Sequence, residues 1–188
     1  VHPGFPEIES SENGNFMIGE EGNEISWTIS DSTILDPHYW IYRDGSEVQT
    51  DSWDSGANIS IDVDELSVGT YNYVLKCNDG TAWGWTESQI VVTIAEIPIP
   101  VLITTNQTIS TKNITVEWSE VVGVDSYNVY LNGTLTYSTS TLTQNIWLNE
   151  SGTHSITVTA INGGEESDHS DAIVIIVDIK SNVGVIIG

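Results

Sequence analysis

Apolar and polar residues alternate along most of this chain of 188 residues. Runs such as Ile25–Ile29, Asn58–Val63 and Tyr71–Cys77 place every second side chain on one face of an extended strand. Turn signals such as Asp44-Gly45 and Asn132-Gly133 end the runs, roughly every 8 to 12 residues. Because no window repeats its apolar residues at helical spacing, the sequence predicts an all-β fold of short antiparallel strands.

The same order of motifs occurs twice along the chain. Tyr39–Gly45 aligns with Tyr127–Gly133, Ile25–Trp27 with Val116–Trp118, and Gly69–Tyr71 with Gly152–His154. Pro98 and Pro100 separate the copies and favour a stiff linker, because proline fixes φ and donates no ladder hydrogen bond. We expect two antiparallel β-sandwiches in tandem, with Trp27 and Trp118 in their cores. The expected boundaries are 1–96 and 101–182 for the sandwiches, 97–100 for the linker and 183–188 for an apolar tail.

The repeated motifs resemble those of immunoglobulin-like and fibronectin type III sandwiches. Val116–Trp118, Tyr127–Tyr130 and Gly152–Asn162 are similar to the second, third and sixth strands of a fibronectin type III domain. The first half is similar to the immunoglobulin-like repeats of large archaeal cell-surface proteins.

Leu66, Gly69 and Tyr71 resemble a tyrosine corner, a tyrosine whose hydroxyl bonds back to the preceding loop. Two positions depart from the pattern: Tyr73 stands where an immunoglobulin has its second cysteine, and His154 stands at the corner of the second half. The resemblance implies an extracellular protein, most of all an archaeal one, with a mechanical or adhesive task and no catalytic activity.

Charge excludes one class of partner. The chain has 27 acidic and four basic residues, for a net charge of −23. Four basic residues cannot form a groove for the phosphate backbone, so nucleic acid is not expected as a partner. No run reaches the ~18 apolar residues of a membrane span, so membrane contact is expected only through an anchor absent from this chain.

The candidate chemistry is sparse. Cys77 is the single cysteine, so the chain forms no internal disulfide, and we expect this residue to be buried. No histidine lies in the context of a catalytic nucleophile, and we expect no enzyme activity. No cofactor is expected except, as one hypothesis, Ca²⁺, which prefers carboxylate oxygens. The alternative is a solvated acidic surface. The candidate ligands are Asp62, Asp64, Glu65, Asp168 and Asp171.

Two further sets of residues are candidates for modification and binding. Sequons for N-glycosylation begin at Asn58, Asn106, Asn113, Asn132 and Asn149. Trp53, Trp83 and Trp85 lie in loops or at strand ends of the first half, where exposed indoles would bind a glycan or a protein. The alternative is that these tryptophans cap the core or pack against a neighbouring domain.

The apolar tail carries the leading functional hypothesis. The residues concerned are Val183, Val185, Ile186 and Ile187. This segment would complete a sheet of the next subunit, begin a membrane anchor that is cut short, or extend the last strand of its own domain. The first option makes the protein a self-associating subunit of a surface filament or stalk. The alternatives are an adhesion module that binds a glycan or a protein, and spacer domains of a larger surface enzyme.

Overall fold

The computed structural model describes residues 4–81 and 84–179, and these residues form strands, turns and extended segments. The prediction of an all-β fold is confirmed. In the described part of the chain there is no helix long and apolar enough to cross a membrane. The chain divides into two compact units, Val1–Glu96 and Ile97–Gly188, which we call unit 1 and unit 2.

Unit 1 is a sandwich of two sheets. The smaller sheet has the order β1-β3-β6 and the larger one the order β2-β8-β7-β4-β5. All neighbouring strands are antiparallel except β2 and β8, which run parallel. The strands are β1 (Glu7–Ser10), β2 (Gly14–Met17), β3 (Glu24–Ser30), β4 (His38–Arg43), β5 (Ser46–Ser52), β6 (Asn58–Asp62), β7 (Gly69–Asn78) and β8 (Trp85–Ala95).

Unit 2 repeats this plan. A two-stranded sheet pairs β10 with β13, and the larger sheet has the order β12-β11-β14-β16-β9, with the short β15 on β14. Its first strand, β9, runs parallel to the last, β16. The strands are β9 (Gln107–Ile109), β10 (Asn113–Glu117), β11 (Ser126–Leu131), β12 (Thr134–Thr139), β13 (Thr143–Trp147), β14 (Gly152–Asn162), β15 (Glu165–Glu166) and β16 (Ile173–Val177).

The inward side chains of each strand form the cores. Trp27 and Trp118 are each 1% exposed, as the sequence predicts. Cys77 is also buried, as expected. Burial, followed by the negative charge of Asp79, raises the pKa of the Cys77 thiol to about 12, and the charge of Asp31 adds to the shift.

A tight hairpin turn occurs at the same place in both units. Asp44 and Gly45 have φ of 50° and 82°, and Asn132 and Gly133 have φ of 51° and 78°, which is the geometry of a type I′ turn. The Asp44 carboxylate accepts a hydrogen bond from the Asn72 backbone N–H at 2.9 Å. Asn132 Oδ1 accepts the equivalent bond from Ser155 N–H, also at 2.9 Å. The aligned residues therefore make the same contacts in both units.

The predicted tyrosine corner is present, and unit 2 has a histidine version of it. The Tyr71 hydroxyl donates to the carbonyl oxygen of Ser67 at 2.8 Å. His154 Nε2 bonds the carbonyl oxygen of Glu150 at 3.0 Å, again four residues upstream. Asn132 Nδ2 lies 3.4 Å from His154 Nδ1. Since a carbonyl only accepts, Nε2 carries the proton, and Nδ1 accepts from the amide.

This arrangement makes the corner histidine a stabilising residue. We expect His154→Phe to lower the free energy of unfolding by about 1 kcal/mol, because it deletes the bond to Glu150. We expect His154→Tyr to lower the free energy of unfolding by less, since the Tyr71 hydroxyl makes the equivalent hydrogen bond in unit 1. Urea unfolding measures both, with Tyr71→Phe as the matched variant. An unchanged midpoint for His154→Phe would contradict the assignment.

Candidate functional site

Three aromatic rings lie on the outer face of the larger sheet of unit 1. The ladder pairs Trp40 with Lys76 and His38 with Asn78, and Asn78 pairs on its other side with Trp85. Side chains alternate along a strand. Because Tyr39 points into the core, its neighbours His38 and Trp40 point out of it.

The rings form a stack, which we call the aromatic column (His38, Trp40 and Trp85). The Trp40 and Trp85 ring centroids are 5.3 Å apart with an interplanar angle of 22°. His38 lies 6.1 Å from Trp40 at 27°. Trp85 nevertheless stays 54% exposed. One large apolar ring is therefore held in a fixed orientation while much of its surface remains in water.

Polar groups border this exposed ring. Lys76 Nζ and Glu87 Oε2 form an ion pair of 3.2 Å. Together with Trp85 and Thr86 they line an open depression of about 240 Å³. An ion pair this exposed contributes little stability. Its consequence is local: one ammonium and one carboxylate are placed beside an indole face.

The structure separates the three predicted tryptophans. Trp85 is exposed, as its predicted binding role requires. The prediction for Trp53 is wrong: it is 4% exposed, and its indole N–H donates to the carbonyl oxygen of Asn78 at 3.1 Å, so it caps the core. Trp83 lies outside the described residues. Trp40 was missed, although its position between the inward Tyr39 and Ile41 was a readable signal.

The corresponding face of unit 2 carries a polar network instead. Asn128 pairs with Thr159 on β14, as Trp40 pairs with Lys76 on β7. Glu166 Oε1 accepts hydrogen bonds from the Tyr130 hydroxyl at 2.6 Å, from Asn128 Nδ2 at 3.2 Å and from the Thr159 hydroxyl. His169 packs on Tyr130, with ring centroids 4.4 Å apart. The two units therefore share a fold but differ on this surface.

The network shifts two ionisation equilibria. Burial alone would raise the pKa of Glu166, but the hydrogen bonds from Thr159, Tyr130 and Asn128 outweigh it and lower that pKa. The hydrogen bond to Glu166 is the main cause that raises the pKa of Tyr130, followed by burial. The charged form of Glu166 is therefore the form that this network stabilises.

Two of the predicted calcium ligands, Asp62 and Asp64, accept hydrogen bonds from backbone N–H groups. The Asp64 carboxylate accepts the backbone N–H groups of Gly22 and Asn23, both at 2.7 Å, and the bonds from Asn23 and Gly22 lower its pKa. Strand β6 ends at Asp62, so Asp62 and Asp64 do not form the shared strand face that the sequence predicted. Asp62 Oδ1 instead accepts the Asp64 N–H at 2.9 Å.

The remaining predicted ligands are not brought together either. Glu65, Asp168 and Asp171 are exposed. In residues 4–81 and 84–179 there is no group of three or more acidic, histidine or cysteine side chains placed to hold a metal. Calcium binding by this chain, and the part of these five residues in it, stays a prediction.

The five sequon asparagines are all exposed. Two of them have engaged side chains. Asn106 Oδ1 accepts the Val174 N–H at 2.7 Å, and Asn132 bonds both Ser155 and His154. Asn58, Asn113 and Asn149 are also exposed to solvent. Glycosylation at these positions stays a prediction.

The Glu166 network makes a pH-dependent contribution to stability. The folded-state pKa of Glu166 lies below its unfolded value, so this contribution is present above the unfolded pKa of ~4.3 and is lost as the pH falls through the folded value. Because Glu166 is exposed and water screens its charge, we expect Glu166→Gln to destabilise the protein by about 0.5 kcal/mol at pH 7 and by less near pH 3. Urea unfolding across pH measures this. The control is Glu165→Gln, at the neighbouring position. If the difference in unfolding free energy between Glu166→Gln and the wild type did not change with pH, the role given to the Glu166 network would be contradicted.

Comparison with known proteins gives distant structural likenesses. No family model matches the sequence, and no curated protein matches it. Fibronectin(III)-like modules of Clostridium thermocellum CbhA are 17% identical with a TM-score of 0.39, covering 92% of this chain and 95% of that one. Chicken CNTN1 FN1–FN3 domains are 15% identical with a TM-score of 0.41, covering 96% and 65%. The titin I9–I11 tandem is 16% identical with a TM-score of 0.46, covering 92% and 66%.

Within the chain, the β-sandwich fold is shown by the strand orders, the two corners and the buried tryptophans described above.

Proposed function

We propose that this chain is a non-catalytic, extracellular adhesion module whose first unit binds a neutral saccharide on its aromatic column. The observation that carries the proposal is the exposure of Trp85 at 54%, although its ring is stacked on Trp40. An isolated exposed indole needs no explanation, but a fixed one beside an open depression matches the usual form of a ligand site.

The geometry suits a sugar ring. The apolar C–H face of a saccharide covers an indole, while its hydroxyl groups need polar partners at the border. Lys76 Nζ and Glu87 Oε2 supply a donor and an acceptor beside Trp85. Stacking on Trp40 orders the Trp85 ring before binding, which lowers the entropy that binding would otherwise cost.

Charge decides which saccharides are suited. The chain carries a net charge of −23, and such a field repels sulfated or carboxylated glycans. Lys76, the cation at this site, is already paired with Glu87. A neutral sugar has no such penalty.

The proposal includes no catalytic step, because the described histidines have structural contacts. His154 forms the corner of unit 2. His169 lies 2.9 Å from the Thr157 hydroxyl. His38 stacks on Trp40 and lies 3.8 Å from the Asp36 carboxylate.

Alanine substitution tests the saccharide site. We expect Trp85→Ala to weaken binding to neutral glycans about tenfold or more, the usual loss for a central aromatic contact. Trp40→Ala should weaken glycan binding less, because it removes the ring on which Trp85 stacks but leaves Trp85 itself in place. A glycan array followed by calorimetry measures both. Trp147→Ala is the matched control, since Trp147 in unit 2 is 56% exposed. Equal losses for Trp85→Ala and Trp147→Ala would contradict the proposal, as would selective capture of a protein without any glycan.

The filament hypothesis stays a separate prediction, because Val183, Val185, Ile186 and Ile187 lie outside the described residues. If the tail donates a strand, deletion of residues 183–188 should convert assemblies of the protein into monomers, because the recipient sheet loses its added strand. Light scattering measures this. Unchanged assembly after the deletion would exclude strand donation.

A further inference from the structure

The small sheet of unit 2, formed by β10 and β13, displays a tryptophan on its outer face. Ile114, Val116 and Ile146 point into the core and are buried. Because side chains alternate along a strand, the residues between them point outward, and in both strands these are exposed. Trp147 is one of them, with 56% of its surface exposed. A large indole is therefore presented to solvent by a regular strand and not by a loop.

The residue directly opposite Trp147 on this face is Asn113. The Leu148 N–H donates to the carbonyl oxygen of Lys112 at 2.8 Å, which makes the adjoining position of the ladder a hydrogen-bonded pair. Hydrogen-bonded and non-hydrogen-bonded pairs alternate in an antiparallel ladder, so Asn113 and Trp147 form a pair of the second kind. Side chains of such pairs are the closest, with Cβ atoms roughly 4.5–5.5 Å apart. The amide and the indole are therefore neighbours on one surface.

Asn113 also begins a sequon whose two essential side chains both face solvent. Asn113 and Thr115 are exposed on the outer face of β10, with the buried Ile114 between them. The backbone carbonyl of Asn113 accepts the Thr111 hydroxyl at 3.1 Å. Its side-chain amide has no hydrogen bond to the part of the chain that the structure describes. An accessible, unengaged amide at the start of a strand is what attachment of a glycan requires.

The other four sequons lack one of these features. The side-chain amides of Asn106 and Asn132 already bond other groups of unit 2. Asn58 is exposed, but the residue opposite it is Thr28, which has no ring. Asn149 is exposed and lies beyond the end of β13. In the ladders that the structure describes, the sequon of β10 is therefore the one that lies against an aromatic side chain.

We infer that Asn113 carries an N-linked glycan whose first sugar packs on the Trp147 indole. The bond forms between Asn113 Nδ2 and the anomeric carbon of a saccharide delivered on a lipid phosphate. The phosphate leaves with the bonding electron pair, the amide gives up one proton, and a separate oligosaccharyl transferase catalyses the step. The inference rests on the extracellular location in the proposed function, but not on the saccharide site of unit 1.

The covalent link is what makes this stacking effective. A free saccharide has to be ordered when it binds a single indole, whereas an attached sugar is held beside the ring at a high effective concentration. The C–H face of the sugar would cover apolar indole surface. Thr115 and Asn145, the next outward pair of this ladder, offer uncharged groups to its hydroxyls. Without the attached glycan, Trp147 gives the protein little affinity for free sugars.

The test compares two preparations of the full chain. One is secreted by a eukaryotic host and trimmed by an endoglycosidase to a single N-acetylglucosamine on each occupied sequon, and the other is made without glycans in bacterial cytoplasm. Peptide mass spectrometry should find the sugar on Asn113. We expect N-bromosuccinimide to oxidise Trp147 roughly threefold or more slowly in the glycosylated protein, because the sugar covers the indole. Trp85, which is 54% exposed, is the internal control and should react equally in both.

The melting temperature gives a second readout. The attached sugars should raise that of the wild type by roughly 2–4 °C over the protein without glycans. Asn113→Gln and Trp147→Ala should each lose this gain, because one removes the sugar and the other removes the ring. The matched control is Asn58→Gln, which deletes an exposed sequon opposite Thr28 and should keep the gain.

Three results would overturn the inference: an unmodified Asn113, equal oxidation of Trp147 in the two preparations, and a thermal gain that Asn58→Gln loses as fully as Asn113→Gln. The last result would reduce the gain to a general effect of attached sugars. Neither readout uses a free saccharide. A failure of Trp85→Ala to weaken glycan binding would therefore contradict the saccharide site of unit 1 and leave this inference standing.

Discussion

The ladder of β4, β7 and β8 is the constraint on which the rest of unit 1 depends. Tyr39 on β4 and Leu75 on β7 are buried on its inner side, and this fixes the register, because a slip of one residue would turn every side chain to the other face. Once the inner side is set, Trp40 must point outward. The aromatic column is therefore a geometric consequence of the core and needs no separate loop to hold it.

The two units show that the scaffold and the surface vary independently. The hairpin turns and corners make the same backbone contacts in both, whereas the outer face changes from Trp40 to Asn128 and from Lys76 to Thr159 at equivalent ladder positions. A sandwich core does not contact the outer face of its own sheet, so substitutions there leave the core packing alone. This is why a function has to be argued from the site and not from the fold.

The sequence predicted the features that periodicity and turn chemistry encode. The strands, the core position of Trp27 and the corner at Tyr71 were all readable. Trp53 and Asp79 were not, because each lies in a turn that a sequence pattern marks as solvated, while the approach of a second loop buries it. Alternation records which face a strand residue occupies, but nothing local in the chain records which loops meet at the end of a sandwich.

The scarcity of basic residues connects these sites. Between the residues that the structure describes, the ion pairs are Lys76–Glu87 and His38–Asp36, so nearly all acids need partners other than Lys or Arg. Asp64 uses backbone N–H groups, and Glu166 uses hydroxyl and amide groups. Each solution consumes donors that a neighbouring turn or strand provides.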